Sequence, residues 1–182
     1  AEGKTLEVRH ADGGYHPVSL PEGVMRFHMT RRTLTPITSN NSASLFALDG
    51  DLRLVEFHSK ANALTDESME IVAAAAADHG KGIIIHNDAQ HFSAGVDLNA
   101  FRAYIEAEDW DGIDGFLDRF QKAVCALKYT PVPVVGAPSG LAAGGGYEVL
   151  AHCDRLVVHT NSVMGLVESG VGVVPGGGGI KD

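Results

Sequence analysis

Two glutamates, Glu148 and Glu168, stand in segments that otherwise carry apolar residues and glycines. Glu148 follows three consecutive glycines in SGLAAGGGYEV (139–149), and Glu168 lies in MGLVESGVGVVPGGGG (164–179). A carboxylate among apolar neighbours is costly unless it is hydrogen-bonded or functional. Two such carboxylates around one water could act as general base and general acid. A solvent-facing side chain in a loop is the alternative interpretation of Glu168.

Three consecutive glycines precede Glu148, although each glycine costs backbone entropy on folding. They follow the apolar strand VPVVGA (132–137) and precede a short helix. Backbone N–H groups at the start of a helix are unpaired and can hold a developing oxyanion or a phosphate. Close packing of the helix against the strand, which glycine permits, is the alternative.

The segment HFSAGVDL (91–98) is the third candidate for a functional loop. Gly95 follows an apolar strand, and Asp97 is a residue type that caps the N-terminus of a helix. A plain turn between strand and helix is the alternative interpretation here.

Other chemistry has less support in the sequence. GVGVVPG (170–176) has Pro175 in place of the third glycine of a dinucleotide fingerprint, and neither GxxxxGK[ST] nor GxSxG occurs. The adjacent residues His152, Cys153 and Asp154 point in different directions from a short helix, so we expect no metal site there.

The elements that would position these segments alternate between strands and helices. Apolar runs on both sides of Asp49-Gly50 predict a β-hairpin, and residues 65–80 predict a helix capped by Thr65 and stopped by Gly80. The other predicted elements are a buried strand at 83–85, a helix from Trp110 to Lys128, and strands at 132–137 and 155–159. This alternation predicts an α/β fold with parallel strands.

Composition narrows the classes of protein. A chain of 182 residues with 45% hydrophobic content suits one packed domain. The net charge of −9, from 14 Lys and Arg against 23 Asp and Glu, provides no basic surface for nucleic acid or anionic lipid. The two cysteines have no CxxC spacing, and no segment approaches the ~20 apolar residues of a membrane span. We therefore expect a cytoplasmic protein that binds neither nucleic acid nor membrane.

Residues 1–42 differ in their sequence pattern from the rest of the chain. They combine two strand-like pieces, TLEVRH (5–10) and VMRFHM (24–29), with turn clusters, and close in the polar stretch TPITSNNSAS (35–44). The chain also begins at Ala1 without a methionine. We therefore interpret residues 1–42 as a linker or a remnant of an upstream module.

Four segments, taken in order, resemble the crotonase superfamily and specifically its enoyl-CoA hydratases. They are HSKANAL (58–64), HFSAGVDL (91–98), GLAAGGGYEVLAHCD (140–154) and GLVESGVGVVPGGGG (165–179). The resemblance runs from about Ser44 to the end of the chain. The GLVESGVG variant is similar to the hydratase module that follows a 3-hydroxyacyl-CoA dehydrogenase module in certain bifunctional proteins, which would account for residues 1–42.

The resemblance implies a fold and an assembly. Crotonases are spirals of strand–strand–helix units rather than doubly wound sheets, and they assemble as trimers or pairs of trimers. Family members continue beyond the PGxGG motif into helices that cover the acyl-CoA site. We therefore expect residues 43–182 to be a crotonase core whose C-terminal helices are missing.

The resemblance also implies site residues. The backbone N–H groups of Val96 and Gly145 would hold the thioester carbonyl as an oxyanion hole, and Glu148 and Glu168 would be the catalytic acids. The residues that would bind the substrate and its CoA are Ala61, Ala63, Val96, Asp97, Leu98 and Asn99.

The implied reaction is the syn-addition of water to a 2-trans-enoyl-CoA in fatty-acid β-oxidation. The resemblance implies no metal and no tightly bound cofactor, since coenzyme A enters as part of the acyl-CoA substrate. Two alternatives stay open at this point. One is double-bond isomerisation or another acyl-CoA reaction on the same fold, and the other is a catalytically idle scaffold.

Overall fold

The structure is a computed structural model that describes residues 7–180. The chain divides into two compact units, Ala1–Thr35 and Pro36–Asp182. In the first unit, strands β1 (Glu7–Arg9) and β2 (Tyr15–Pro17) form an antiparallel hairpin. Helix α1 (Phe27–Thr30) follows, so VMRFHM is partly helical and its interpretation as strand-like was wrong.

A six-stranded sheet forms the centre of the second unit. Its strands in spatial order are β3 (Thr38–Ser39), β4 (Ala43–Leu48), β5 (Leu52–Phe57), β6 (Gly82–Ile85), β7 (Val134–Gly136) and β9 (Arg155–Leu156). The β3–β4 and β4–β5 pairs are antiparallel, whereas the three pairs from β5 to β9 are parallel. The predicted hairpin and the predicted parallel strands are therefore confirmed.

A second, smaller set of pairings gives the chain its spiral course. Strand β8 (Leu141–Ala143) pairs in parallel with β10 (Val163–Gly165). Two single bridges, Ser93 with Ala142 and Leu64 with Val96, belong to the same set. Each of β5, β6, β7 and β9 is thus followed by a strand or bridge in the second set and then by helical structure. The strand–strand–helix unit occurs in four successive turns.

Four helices connect these turns. They are α2 (Asp66–Ala77), α3 (Leu98–Glu106), α4 (Trp110–Lys128) and α5 (Gly145–Ala151). Thr65 caps α2 and Asp97 caps α3, as predicted for these two residues, and Ser68 completes a capping box with Thr65. None of the helices among residues 7–180 has the length and apolarity to cross a membrane.

The core lies between the sheet and helices α2 and α4. The α4 residues that face the core recur at intervals of three or four along the helix, as a helical period of 3.6 requires. Its buried members on that helix are Phe116, Phe120, Ala123, Val124 and Leu127. The bounds predicted for α4, Trp110 to Lys128, are those observed.

The polar stretch 35–44 contributes to the sheet. Thr38 and Ser39 pair with β4, and Asn40 Oδ1 accepts hydrogen bonds from the N–H groups of Ser42 and Ala43, both at 3.0 Å. The second compact unit begins at Pro36. The origin of residues 1–42 as a linker or a remnant of an upstream module stays a prediction.

Gly80 turns the chain between α2 and β6, and we expect Gly80→Ala to destabilise the protein. Gly80 has φ +54°, and a Cβ there would collide with the carbonyl oxygen of Asp51 and lie 2.8 Å from Arg53 Nη1. The left-handed backbone and the collision together should lower the free energy of unfolding by about 3 kcal/mol in urea titration.

Gly50→Ala is the matched control for this substitution. Gly50 also has a positive φ, +77°, but no atom lies within 4 Å of the position of its Cβ. We expect a loss of about 1 to 2 kcal/mol, from the left-handed backbone alone. Equal losses in the two variants would contradict the steric explanation at Gly80.

Candidate active site

Glu148 lies in the first turn of α5 and is buried, with 2% of its surface exposed. Its Oε1 accepts hydrogen bonds from the N–H groups of Gly177, at 2.8 Å, and Gly179, at 3.0 Å. Burial raises the pKa of the Glu148 carboxyl, and the charge of Glu168 raises it further, while the two glycine N–H groups lower it. The buried acid is thus hydrogen-bonded, as the apolar sequence around it required.

The glycines at positions 176–179 have a structural role that was not recognised from the sequence, where they form only a glycine-rich run. A Cβ on Gly177 would lie 2.5 Å from Glu148 Oε2, and one on Gly179 would lie 2.8 Å from Glu148 Cγ. The backbone reaches the carboxylate because side chains are absent there. Their position after an acid-bearing glycine segment was the signal available in the sequence.

Glu168 begins a 3-10 turn, Glu168–Val171, and its side chain is half-buried. Its Oε2 accepts a hydrogen bond from the N–H of Val167 at 2.8 Å. A Cβ on Gly144 would lie 2.8 Å from Glu168 Oε1, so the carboxylate packs against the backbone just before α5. The structure therefore brings Glu168 to the start of the helix that carries Glu148.

The three glycines before Glu148 differ in what they contact. Gly144 has φ +50° and lies against Glu168. A Cβ on Gly145 would meet Val96 Cγ2 at 2.8 Å, and one on Gly146 would meet Ser93 Cβ at 2.6 Å. Close packing, one of the two alternatives considered for this segment, therefore applies to these glycines, and the use of their N–H groups as donors to a ligand stays a prediction.

The segments that carry Val96 and Gly145 are adjacent. A Cβ on Gly95, which has φ +93°, would lie 3.0 Å from the Ala143 oxygen and 3.7 Å from the Gly145 nitrogen. Among the hydrogen bonds of residues 7–180, the backbone N–H groups of Val96 and Gly145 have no acceptor. Two unpaired donors therefore lie near each other, beside the helix start that Glu168 contacts.

A buried serine and a buried asparagine hold this loop in place, and sequence reasoning missed both. Ser93 Oγ donates to the Asn62 carbonyl oxygen at 2.8 Å and accepts from the Gly95 N–H at 3.1 Å. Asn62 Nδ2 donates to the His91 carbonyl oxygen at 2.9 Å. These bonds join HSKANAL to HFSAGVDL, and the polar residues within the two motifs were the signal that could have identified them.

The residues predicted to bind CoA come from the same two motifs. Ala61 is exposed with φ +56°, Ala63 is half-buried, and the carbonyl oxygen of Ala61 accepts from Ala94 N–H at 3.2 Å. Asp97 Oδ1 accepts from the Asn99 N–H at 2.9 Å, and the neighbouring Leu98 is 58% exposed. The Leu64–Val96 bridge keeps the two segments side by side. Their part in binding stays a prediction.

The residues after Glu148 are packed around the helix end. His152 Nδ1 bonds to the Glu148 carbonyl oxygen at 2.7 Å, and Asp154 Oδ2 accepts from the Val134 N–H at 2.8 Å. Both cysteines are free, and burial raises the pKa of the Cys153 thiol to about 12. Within residues 7–180, no group of three His, Cys, Asp or Glu side chains is arranged to hold a metal ion.

A spiral of strand–strand–helix turns, with two acids and two unpaired backbone donors on neighbouring segments, is the arrangement expected of the crotonase class. Comparison with known proteins agrees, because residues 52–181 match the family described as enoyl-CoA hydratase/isomerase. The chain belongs to this family. The resemblance stated from four motifs is thereby confirmed.

Individual relatives support both the family and the fold. A Bacillus subtilis (strain 168) protein named "Probable 3-hydroxyacyl-CoA dehydrogenase" is 35% identical over 175 residues, 93% of this chain and 22% of that protein. The fatty acid oxidation complex subunit alpha of Idiomarina loihiensis is 33% identical over 102 residues, 56% of this chain and 14% of that protein. The chain thus spans less than a quarter of the length of either relative.

A solved structure shows the same fold. The crystal structure of an enoyl-CoA hydratase from a Polaromonas species matches with a TM-score of 0.70 and 23% identity, over 75% of this chain and 55% of that one. At this identity the likeness concerns the fold, and the predicted α/β spiral is confirmed.

Glu148 should reduce stability near neutral pH, and Glu148→Gln should relieve that effect. Because the folded-state pKa is raised, the folded protein binds the proton more tightly, and stability falls as pH rises from the unfolded pKa through the folded one. We expect Glu148→Gln to have the higher free energy of unfolding at about pH 7.5, with the difference shrinking towards about pH 4.

Urea titrations of both proteins across that pH range provide the measurement. Glu168→Gln is the matched control, and because its carboxylate is half-buried its stability should differ less from wild type. A Glu148→Gln variant that is less stable than wild type at neutral pH would show that the glycine hydrogen bonds outweigh the desolvation of the carboxylate.

Proposed function

We propose that this chain is an enoyl-CoA hydratase module, which adds water across the Cα=Cβ bond of a 2-trans-enoyl-CoA. The observation that carries the proposal is the buried carboxylate of Glu148, held on one oxygen by two backbone N–H groups and coupled to the charge of Glu168. Two carboxylates favour hydration over isomerisation, for which one acid suffices in this family.

The backbone donors would bind the thioester oxygen. As water adds to Cβ, the carbonyl becomes enolate-like, and the N–H groups of Val96 and Gly145 would stabilise that charge. Losing one such donor costs roughly 3 kcal/mol of transition-state stabilisation in other enzymes. Because Gly145 has no side chain, the substrate can approach its backbone.

The two acids would divide the proton transfers. Glu148 Oε1 is engaged by Gly177 and Gly179, which leaves Oε2 to accept a proton from the attacking water. In the starting state Glu148 is ionised and Glu168 carries one proton. The hydroxyl forms its bond to Cβ, the Cα=Cβ pair of electrons takes up that proton at Cα from Glu168, and both additions occur on one face. Return of the proton from Glu148 to Glu168 restores the starting state.

Substrate binding would involve the paired motifs 58–64 and 91–98. Ala61 and Ala63, together with the Val96 to Asn99 stretch that includes Asp97 and Leu98, would contact the CoA portion. Coenzyme A enters as part of the substrate, and the proposed addition of water uses no metal and no tightly bound cofactor.

The relatives suggest the setting of this module. One is named a 3-hydroxyacyl-CoA dehydrogenase and another a subunit of a fatty acid oxidation complex. We therefore propose that the chain serves fatty-acid β-oxidation beside an upstream dehydrogenase module, in a cytoplasmic protein that assembles as a trimer or a pair of trimers.

Replacing either acid by its amide should slow hydration of crotonyl-CoA. Glu148→Gln and Glu168→Gln each remove a proton-transfer group, so we expect kcat to fall by about 100-fold or more in each variant. The double variant should lose much less than the product of the two, since both acids act in the same addition. The decrease in enoyl absorbance measures the rate in the intact protein.

Glu70→Gln, an exposed glutamate on α2, is the control and should leave the rate unchanged. Wild-type activity in both site variants would contradict the assignment of the acids. Conversion of a 3-enoyl-CoA without hydration of crotonyl-CoA would show an isomerase instead, and an absence of saturable heat with acyl-CoA in calorimetry would show an idle scaffold.

A further inference from the structure

One peptide group connects the surface of helix α4 to the buried carboxylate. The N–H of Gly177 donates to Glu148 Oε1 at 2.8 Å, and the carbonyl oxygen of the preceding Gly176 accepts from Gln121 Nε2 at 2.6 Å. Both bonds belong to a single planar unit, the Gly176–Gly177 peptide. A rotation of that unit would move both partners at once.

Three residues on one face of α4 hold this peptide. Phe120 and Gln121 follow Leu117 by three and four residues, so both lie beside Leu117 on the surface of the helix. A Cβ on Gly176 would lie 2.8 Å from Leu117 Cδ2, and one on Gly177 would lie 2.5 Å from Phe120 Cε1. The apolar pair limits where the peptide can lie, whereas the directional bond from Gln121 determines how its plane is turned.

We propose that Gln121 is a positioning residue for Glu148. By donating to the Gly176 carbonyl, it orients and polarises the peptide whose N–H holds Glu148 Oε1. A hydrogen bond to the carbonyl of a peptide strengthens the donor at its other end. The inference rests on the proposed function, in which Glu148 accepts a proton from water through Oε2.

The hydrogen bond from Gln121 leads to a prediction about the acid limb of the pH–activity profile. A weaker Gly177 bond stabilises the ionised Glu148 less, which raises its pKa, so activity that needs the ionised form is lost at a higher pH. Two other titratable groups act on Glu148, namely Glu168, whose charge raises its pKa, and His152, which lowers it. Both are retained when Gln121 is replaced.

The experiment compares Gln121→Leu, which removes the donor, and Gln121→Glu, which replaces it with an acceptor, in the intact protein. We expect kcat for crotonyl-CoA to fall by about 3- to 10-fold in each, with KM within about twofold of wild type. The acid limb of the kcat/KM profile should move to higher pH. Gln121→Lys, which keeps a donor, should recover most of the rate.

Lys122→Leu is the matched control, an exposed polar residue on the same helix whose ammonium pairs with Asp118 at 2.6 Å. It should behave as wild type. An unchanged kcat and acid limb in Gln121→Leu would overturn the inference. So would a fall in kcat and melting temperature without any shift of the acid limb, because that is the behaviour of a merely structural residue.

A readout without substrate separates this inference from the proposed function. The amide proton resonance of Gly177 should move upfield in Gln121→Leu and not in Lys122→Leu, because a weaker hydrogen bond deshields that proton less. A wild-type protein that does not hydrate crotonyl-CoA would contradict the proposed function alone. An unmoved Gly177 resonance would overturn the Gln121 link whatever the activity.

Discussion

The buried carboxylate of Glu148 is the constraint on which the rest of the site depends. The Glu148 carboxylate needs hydrogen bonds from the protein, because only 2% of the surface of this residue is exposed. The donors to it are backbone N–H groups that lie 29 and 31 residues further along the chain. Those groups reach it only because Gly177 and Gly179 carry no side chains. The glycine-rich end of the sequence and the acid on α5 therefore require each other.

The spiral explains how distant segments meet at one place. Parallel strands β6, β7 and β9 present their carboxyl ends at the same edge of the sheet, and the segments that follow them carry Val96, Gly145 and Glu168 in turn. Each turn thus contributes one residue of the candidate site. The bridges from Leu64 to Val96 and from Ser93 to Ala142 keep neighbouring loops in register.

Local patterns in the sequence predicted the elements better than the contacts between them. The Thr65 cap, the hairpin at Asp49-Gly50 and the bounds of α4 follow from short-range rules, and all three were observed. The acids and their glycine segments were identified from motifs. The hydrogen bonds from Gly177 and Ser93 were missed because they depend on which turns of the spiral are neighbours, a property that no window of sequence contains.

Opposing influences act on the pKa of the Glu148 carboxyl. Burial and the charge of Glu168 favour the protonated form, whereas the two glycine N–H groups favour the ionised form, and the net effect is a raised pKa. Without the glycine hydrogen bonds the pKa of the Glu148 carboxyl would be higher still, and without burial it would be lower. Leu117 and Phe120 of α4 pack against Gly176 and Gly177, so this packing helps to determine how closely the Gly177 N–H approaches the carboxylate.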